Sequence, residues 1–153
     1  MDVGEKERSV VSLVHMAFLA SVGVYILVLW FARKSGGLPA DPTRKAETLA
    51  LLLLMIGGAE CFGADWLGRR RLHRGPGDPV SRVRGFFLVR FAAAEAAAVF
   101  GLMLGFLGGG GIAVGLLFSL SVLVLVLSAP SREAWSRAMA LATGDPASRD
   151  SRL

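Results

Sequence analysis

The 153-residue sequence contains a single cysteine, Cys61, and this residue lies inside an apolar run. One cysteine excludes an intramolecular disulfide, and no other residues around it have metal-ligand spacing. We interpret Cys61 as a small packing residue. The sequence also lacks HExxH, Gly-x-Ser-x-Gly and phosphotransfer motifs. These absences favour a non-catalytic protein without cofactor or metal, with a membrane enzyme as the less favoured alternative.

Charged residues are scarce in four long apolar runs, at residues 10–31, 48–67, 86–107 and 112–129. A soluble domain needs polar residues along each helix or strand to face water, and these runs do not supply them. About 20 apolar residues cross the hydrocarbon core as a helix, whereas barrel strands are shorter and alternate in polarity. The sequence therefore predicts an all-α membrane protein, a bundle of four transmembrane helices that forms a single domain.

The positive charges are unevenly distributed around the four runs. Twelve Lys and Arg residues lie in the N-terminal segment, the second connection and the C-terminal tail, against four in the first connection and none in the third. Because positively charged flanks stay on the cytoplasmic side, we expect both termini to be cytoplasmic. The first run lacks a signal-peptide cleavage site, and we expect it to be retained.

The net charge of +5 could indicate nucleic-acid binding, but no basic motif with interleaved aromatic residues accompanies it. We predict instead that residues 69–84, which carry six arginines, attract anionic lipid head groups. The chain has 14 arginines and 3 lysines and many Ala and Gly residues. This composition is typical of GC-rich bacterial genomes and suggests the bacterial plasma membrane.

The connections between the runs have the composition of turns. The first, residues 32–45, contains two prolines, and the second, residues 68–85, contains the turn sequence GPGDP. Four glycines at 108–111 predict a tight hairpin between the last two spans. After Pro130 we expect a short interfacial helix at residues 131–142, capped by Ser131 with Trp135 near the head groups, and then a disordered tail at 144–153.

Five ionisable residues lie within the runs, and each is a candidate functional residue because a charge at membrane depth costs about 2.5 to 3.5 kcal/mol on insertion scales. They are His15, Glu60, Asp65, Arg90 and Glu95. At 1.5 Å per residue, Asp65 and Arg90 lie about 3 to 6 Å from the inner boundary, and Glu60 and Glu95 about 11 to 14 Å. Antiparallel helices could therefore bring Asp65 beside Arg90 and Glu60 beside Glu95, and the sequence leaves open whether the two glutamates meet. If the two glutamates converge, one of them should carry a proton.

Small residues recur every fourth position in and after the third run, which favours close approach of a neighbouring helix. They are Ala93, Ala97, Gly101, Gly105 and Gly109. Arg90 projects near this stripe, whereas Glu95 lies about 140° around the helix from Arg90. We therefore expect Arg90 and Glu95 to find partners on other helices.

Residues 90–106, RFAAAEAAAVFGLMLGF, resemble the carboxylate helix of the proton-carrying ring subunit of rotary ATP synthases. In that helix an ion-binding glutamate lies among alanines and precedes an aromatic residue, Gly and Leu, which Glu95, Phe100, Gly101 and Leu102 match. The same segment resembles uncharacterised bacterial four-span membrane proteins with an Arg, four residues, Glu, then Phe-Gly-Leu pattern. The ring subunit has no counterpart of Arg90 or Glu60, and its other helix has alternating glycines that this chain lacks. The resemblance therefore implies a related hairpin architecture.

These observations lead to two hypotheses of function. The first is a non-catalytic membrane protein, a structural or complex subunit or a homo-oligomer, in which Arg90, Asp65 and His15 form a polar cluster. The second is a proton- or cation-translocating subunit or small transporter that uses Glu95 and Glu60. Small multidrug exporters carry their buried glutamate on the first helix, where this sequence has no acid within the apolar run.

Overall fold

The computed structural model describes residues 3–37 and 44–144. All regular secondary structure within these residues is helical. The helices in chain order are α1 (Val3–Lys34), α2 (Arg44–Arg74), α3 (Pro79–Phe106), α4 (Gly111–Leu127) and α5 (Arg132–Thr143). The predicted all-α class is thus confirmed for this part of the chain.

Three of these helices, α1, α2 and α3, are long and apolar enough to cross a membrane. The fourth predicted span corresponds to α4, whose 17 residues extend about 25 Å at 1.5 Å per residue, against about 30 Å of hydrocarbon. Helix α4 bends by 74° into α5, and the pair meets the same length and hydropathy criteria when it is counted as one broken span. Within the described residues, three helices are therefore long and apolar enough to span a membrane, or four if the bent pair counts as one span.

The first three helices extend beyond the apolar runs that predicted them. The predicted connection at residues 68–85 is wrong in length, because only residues 75–78 lie outside helices. Hydropathy marks the part of a helix that lies in lipid, whereas polar residues continue the same helix into water. The Asp78 carboxylate accepts a hydrogen bond from the Ser81 backbone N–H at 3.3 Å, and Pro79 occupies the first helical turn of α3.

The glycine-rich connection forms a tight turn between α3 and α4. Gly108 has a φ of +75°, a left-handed conformation that glycine adopts without steric cost. The backbone N–H of Gly109 donates to the carbonyl of Leu104 at 2.8 Å, which closes the end of α3. The predicted helical hairpin is therefore formed by the four glycines.

Helix α3 lies at the centre of the bundle and contacts each of the other four helices. Its side chains supply much of the core, including Phe87, Phe91, Ala94 and Ala98. Phe91 is fully buried and contacts the aromatic rings of His15 and Phe18 on α1 and of Phe87 on α3. The candidate functional residues of α3, Arg90 and Glu95, thus lie on the helix that packs against all four of the others.

The small-residue stripe on α3 serves more than one neighbouring helix. Ala97 packs near Gly57 of α2, Gly101 lies against Leu117 of α4, and a methyl group added at Gly105 would approach Leu29 of α1 to 2.6 Å. Gly109 lies beyond the end of α3. The stripe therefore turns gradually around α3, since a repeat of four exceeds the 3.6 residues of a helical turn.

The short helix predicted at residues 131–142 is present as α5. The Ser131 hydroxyl caps it by accepting a hydrogen bond from the Ala134 N–H at 3.1 Å. Trp135, expected near the head groups, is buried and stacks on Phe87 of α3 with ring centroids 5.8 Å apart. The tail predicted to be disordered, residues 144–153, lies outside the described residues apart from Gly144.

Candidate functional site

Glu95 faces α1, where two hydroxyl groups hold its carboxylate. The Tyr25 hydroxyl donates to Glu95 Oε1 at 3.0 Å, and the Ser21 hydroxyl lies 3.1 Å from the same oxygen. Ser21 and Tyr25 are four residues apart on α1, so their side chains share one face of that helix. Within the described residues Glu95 has hydroxyl partners and no cationic partner.

His15 lies deep in the bundle between α1, α3 and α4. It is 6% exposed, and its Nε2 lies 3.0 Å from the carbonyl oxygen of Leu125 near the end of α4. The Leu125 carbonyl belongs to the last turn of α4, and His15 supplies it with a donor from another helix. This carbonyl also accepts from the Ser128 N–H at 3.1 Å. The arrangement matches a hydrogen-bonded packing histidine, and it joins α1 to the bend between α4 and α5.

Arg90 and Asp65 form an ion pair between α3 and α2. Arg90 Nε lies 3.7 Å from Asp65 Oδ1, and Arg69 Nε lies 2.8 Å from Asp65 Oδ2. The Arg90 guanidinium also lies over the Phe86 ring, 5.3 Å from its centroid. The two arginines and one carboxylate therefore form a network at one end of the bundle, the end at which α2 finishes and α3 begins.

Glu60 and Glu95 lie on different sides of α3 and share no hydrogen bond in the described part of the chain. The sequence left open whether the two glutamates meet, and in the described part of the chain they lie apart. Equal depth sets the height of a residue in the bundle, but the rotation of each helix decides which neighbour it faces. Glu95 turns towards α1, whereas Glu60 is exposed.

Glu60 lies in an open groove between α2 and α3, with a volume of about 540 Å³. We call this the Glu60 groove. Its walls include small residues from both helices, Gly63, Ala64, Ala92, Ala93 and Ala96. Cys61 lies beside it with its Sγ 4.0 Å from the Ala93 carbonyl oxygen, in line with a packing role. Among the five intramembrane ionisable residues, Glu60 is the one without a hydrogen bond or ion pair within the described residues.

The sequence interpretation did not identify Ser21 and Tyr25 as partners of Glu95. A usable pattern was present, because Tyr25 is the single tyrosine of the chain and lies one helical turn from Ser21. The partner of His15 is a backbone carbonyl, which no residue pattern in the sequence marks. Two buried hydroxyls, those of Ser121 on α4 and of Ser128 at its C-cap, have no hydrogen-bond partner among the described residues.

The arrangement offers buried polar contacts between helices and few groups for chemistry. No cluster of three or more His, Cys, Asp or Glu residues suited to a metal ion occurs among residues 3–37 and 44–144. The carboxylate of Glu95 can accept a proton between hydroxyl donors, and the carboxyl group of Glu60 can bind an external partner.

Comparison of the chain with protein-family models, with curated proteins and with solved structures finds no match in any of the three.

Proposed function

We propose that this protein is a non-catalytic integral membrane protein of the bacterial plasma membrane, and that it acts as a structural subunit by pairing with a second copy of itself through the Glu60 groove. The exposed Glu60 side chain carries the proposal. The other four intramembrane ionisable residues are neutralised or hydrogen-bonded inside the bundle. Such internal pairing is typical of polar residues that join helices.

Among the described residues Glu60 has no such partner, although it lies about 11 Å inside the apolar part of α2 at 1.5 Å per residue. A charge at this depth costs about 2.5 to 3.5 kcal/mol when it faces lipid. The neutral carboxyl group still needs a hydrogen-bond partner, because lipid supplies none. A second protein surface at the groove would supply that partner and remove the group from lipid.

A second copy of the chain satisfies Glu60 with groups that the chain already has. A protonated carboxyl group both donates and accepts, so two Glu60 side chains can pair across a twofold axis. Twofold dimers are the most common symmetric oligomers, and their interface uses the same patch on both subunits. The glycine and alanine residues of the groove allow the close backbone approach that membrane helix packing requires.

Disulfide trapping tests the dimer. In a Cys61→Ser background, Gly63→Cys places a thiol in the groove, where an added Cβ meets no atom within 4 Å. Mild oxidation of the protein in lipid vesicles should produce a covalent dimer. The matched control is Ala17→Cys, an exposed position on α1 that lies away from the groove. The control should remain monomeric under the same conditions.

A second variant separates the role of Glu60 from chance collision. Glu60→Leu in the Gly63→Cys background should reduce the trapped dimer at least fivefold, since it removes the paired carboxyl groups. Equal trapping at positions 17 and 63, or trapping that Glu60→Leu leaves unchanged, would overturn the proposal. A disulfide between position 63 and a different membrane protein would show that the groove binds a heterologous partner and not a second copy of the chain.

The proposed topology has four spans and both termini in the cytoplasm. The α4–α5 pair supports a fourth span, since it meets the length and hydropathy criteria as one broken span. The distribution of Lys and Arg supports the orientation. In a Cys61→Ser background, Arg74→Cys should resist impermeant thiol reagents added to intact cells. Ready labelling at position 74 would show that the connection between α2 and α3 lies outside the cell, and would contradict the proposed orientation.

A second candidate function, proton or cation handling by Glu95, is favoured by the two hydroxyl groups that surround this carboxylate without a cation. A carboxylate that exchanges protons in a membrane should react with dicyclohexylcarbodiimide in a pH-dependent way. Labelling should be mapped by mass spectrometry, with Glu95→Gln and Glu60→Gln as controls that separate the two sites. Absence of label on Glu95 at every pH would exclude the role.

A further inference from the structure

Three arginines meet in a cleft at the end of the bundle where α2 passes into α3. The cleft has a volume of about 240 Å³, and its lining includes Arg71 from α2 and Ser81, Arg82, Arg84 and Leu88 from α3. We call it the arginine cleft. The Arg71 guanidinium reaches over α3, since a methyl group added at Gly85 would lie 3.8 Å from its Nη1. Two helices therefore build the site from both sides.

The acidic residues near the arginine cleft do not balance all of its positive charge. Arg84 pairs with Glu7 of α1, with Nη1 and Oε2 3.4 Å apart. Asp78, the carboxylate of the connecting loop, accepts hydrogen bonds from Ser81. Arg71 and Arg82 have no acidic partner in the described part of the chain. Two guanidinium groups thus lie in one cleft without a counter-charge.

Arg82 is held in place at the wall of the cleft and retains free donor capacity. Its Nη1 donates to the Leu72 carbonyl at 3.1 Å, which fixes the side chain against the end of α2. Its Nε is buried and has no hydrogen-bond partner. Arg82 also lines the cleft, so the terminal N–H groups of its guanidinium that the Leu72 carbonyl does not engage are available to an anion there.

We propose that the arginine cleft binds a phosphate-bearing anion, and that a lipid head group is its source in the membrane. Guanidinium groups present planar pairs of donors that match phosphate oxygens, and charge-assisted hydrogen bonds of this kind are strong. The cleft also contains Leu88, which lies within the apolar run of α3, whereas Arg82 precedes that run. The site therefore spans the boundary between apolar and polar residues, at the level of lipid phosphates.

This proposal is independent of the pairing of two copies through the Glu60 groove, because none of the residues that line one site lines the other. It also differs from the diffuse attraction expected for a basic segment. A built cleft should depend on Arg71 and Arg82, whereas diffuse attraction should depend only on the number of charges.

Thermal melting of the purified protein in neutral detergent micelles tests the cleft. Phosphatidylglycerol added to the micelles should raise the melting temperature by several degrees more than phosphatidylcholine does. The double variant Arg71→Gln/Arg82→Gln should lose at least half of this increase. The matched control is Arg70→Gln/Arg74→Gln, which removes the same charge from exposed positions on α2 outside the cleft and should retain the increase.

Two further measurements complete the test. Inorganic phosphate, compared with chloride at equal ionic strength, shows whether a free phosphate gives the same stabilisation as the lipid. Arg71→Gln alone serves if the double variant does not fold, because the Arg71 side chain has no hydrogen bond or ion pair in the described residues. An equal loss in both double variants, or no loss in either, would overturn the proposal.

Discussion

The Tyr25 hydroxyl donates a hydrogen bond to Glu95 Oε1 across 3.0 Å, and this contact joins α1 to α3 within the membrane part of the bundle. The Ser21 hydroxyl lies 3.1 Å from the same oxygen and 2.8 Å from the Phe18 carbonyl oxygen, so its single proton is shared between two acceptors on the face of α1 that Glu95 contacts. In lipid, a polar side chain without a partner is unfavourable, and these donors provide what water would provide elsewhere.

Tyr25→Phe should lower stability by about 1 kcal/mol, which corresponds to a decrease of about 2 to 4 °C in melting temperature for a chain of this size. The ring remains, so the loss reports the hydroxyl contact. Thermal melting in detergent measures it. In a Glu95→Ala background the same substitution should cost much less, because its partner is already absent. Equal costs in the two backgrounds would show that Tyr25 and Glu95 are not coupled.

His15 should carry a proton on Nε2, because its partner is a carbonyl oxygen that can only accept. Nitrogen-15 NMR of histidine-labelled protein measures the tautomer. The chain contains one other histidine, His73, which is exposed and serves as an internal reference for a solvated ring. A His15 spectrum with the proton on Nδ1 alone would contradict the contact with Leu125.

Arg90→Ala should lower the melting temperature by several degrees, since it removes both the Asp65 ion pair and the contact with Phe86. Arg69→Ala is the matched control. Arg69 approaches Asp65 more closely, at 2.8 Å, but its side chain is 64% exposed against 21% for Arg90. Exposed pairs four residues apart on a helix contribute only about 0.3 to 0.5 kcal/mol. A larger decrease in melting temperature for Arg69→Ala than for Arg90→Ala would contradict the expectation that the burial of an ion pair matters more than the distance between its charges.

Asp78 should make the stability of the protein depend on pH in the acid range. Hydrogen bonds from the Ser81 side chain and backbone lower the pKa of the Asp78 carboxyl below its ordinary value. Its stabilising contribution is therefore present above the ordinary pKa of about 3.9 and is lost as the pH falls through the lower folded value. Melting temperature measured from pH 7 to pH 2 should show the loss.

The matched variant for this prediction is Asp78→Asn, which can still cap α3 but does not titrate. The advantage of the native protein over Asp78→Asn should stay constant from pH 7 to about pH 4.5 and shrink below about pH 4. An advantage that grows with acidification would contradict the role of the ionised carboxylate as the cap of α3.

Part of the site follows from position along the chain. Asp65 and Arg90 lie about 3 and 6 Å from the inner ends of their apolar runs, and antiparallel packing brings such residues to similar heights. Their side chains lie 3.7 Å apart. The same argument fails for Glu60 and Glu95, because height does not specify the rotation of a helix. Phe91 and Ala97 on α3 pack against other helices, and this packing sets the rotation.

The sequence was sufficient to establish that the chain is helical and suited to a membrane, because continuous apolar runs can satisfy their backbone in lipid only as helices. Glycine and proline likewise marked the turns. Only the tertiary structure decided that Glu95 faces the hydroxyls of α1, that Glu60 has no partner among the described residues, and that Arg71 and Arg82 line one cleft. These relationships depend on how each helix is rotated against its neighbours, and that rotation results from side-chain packing across the whole bundle.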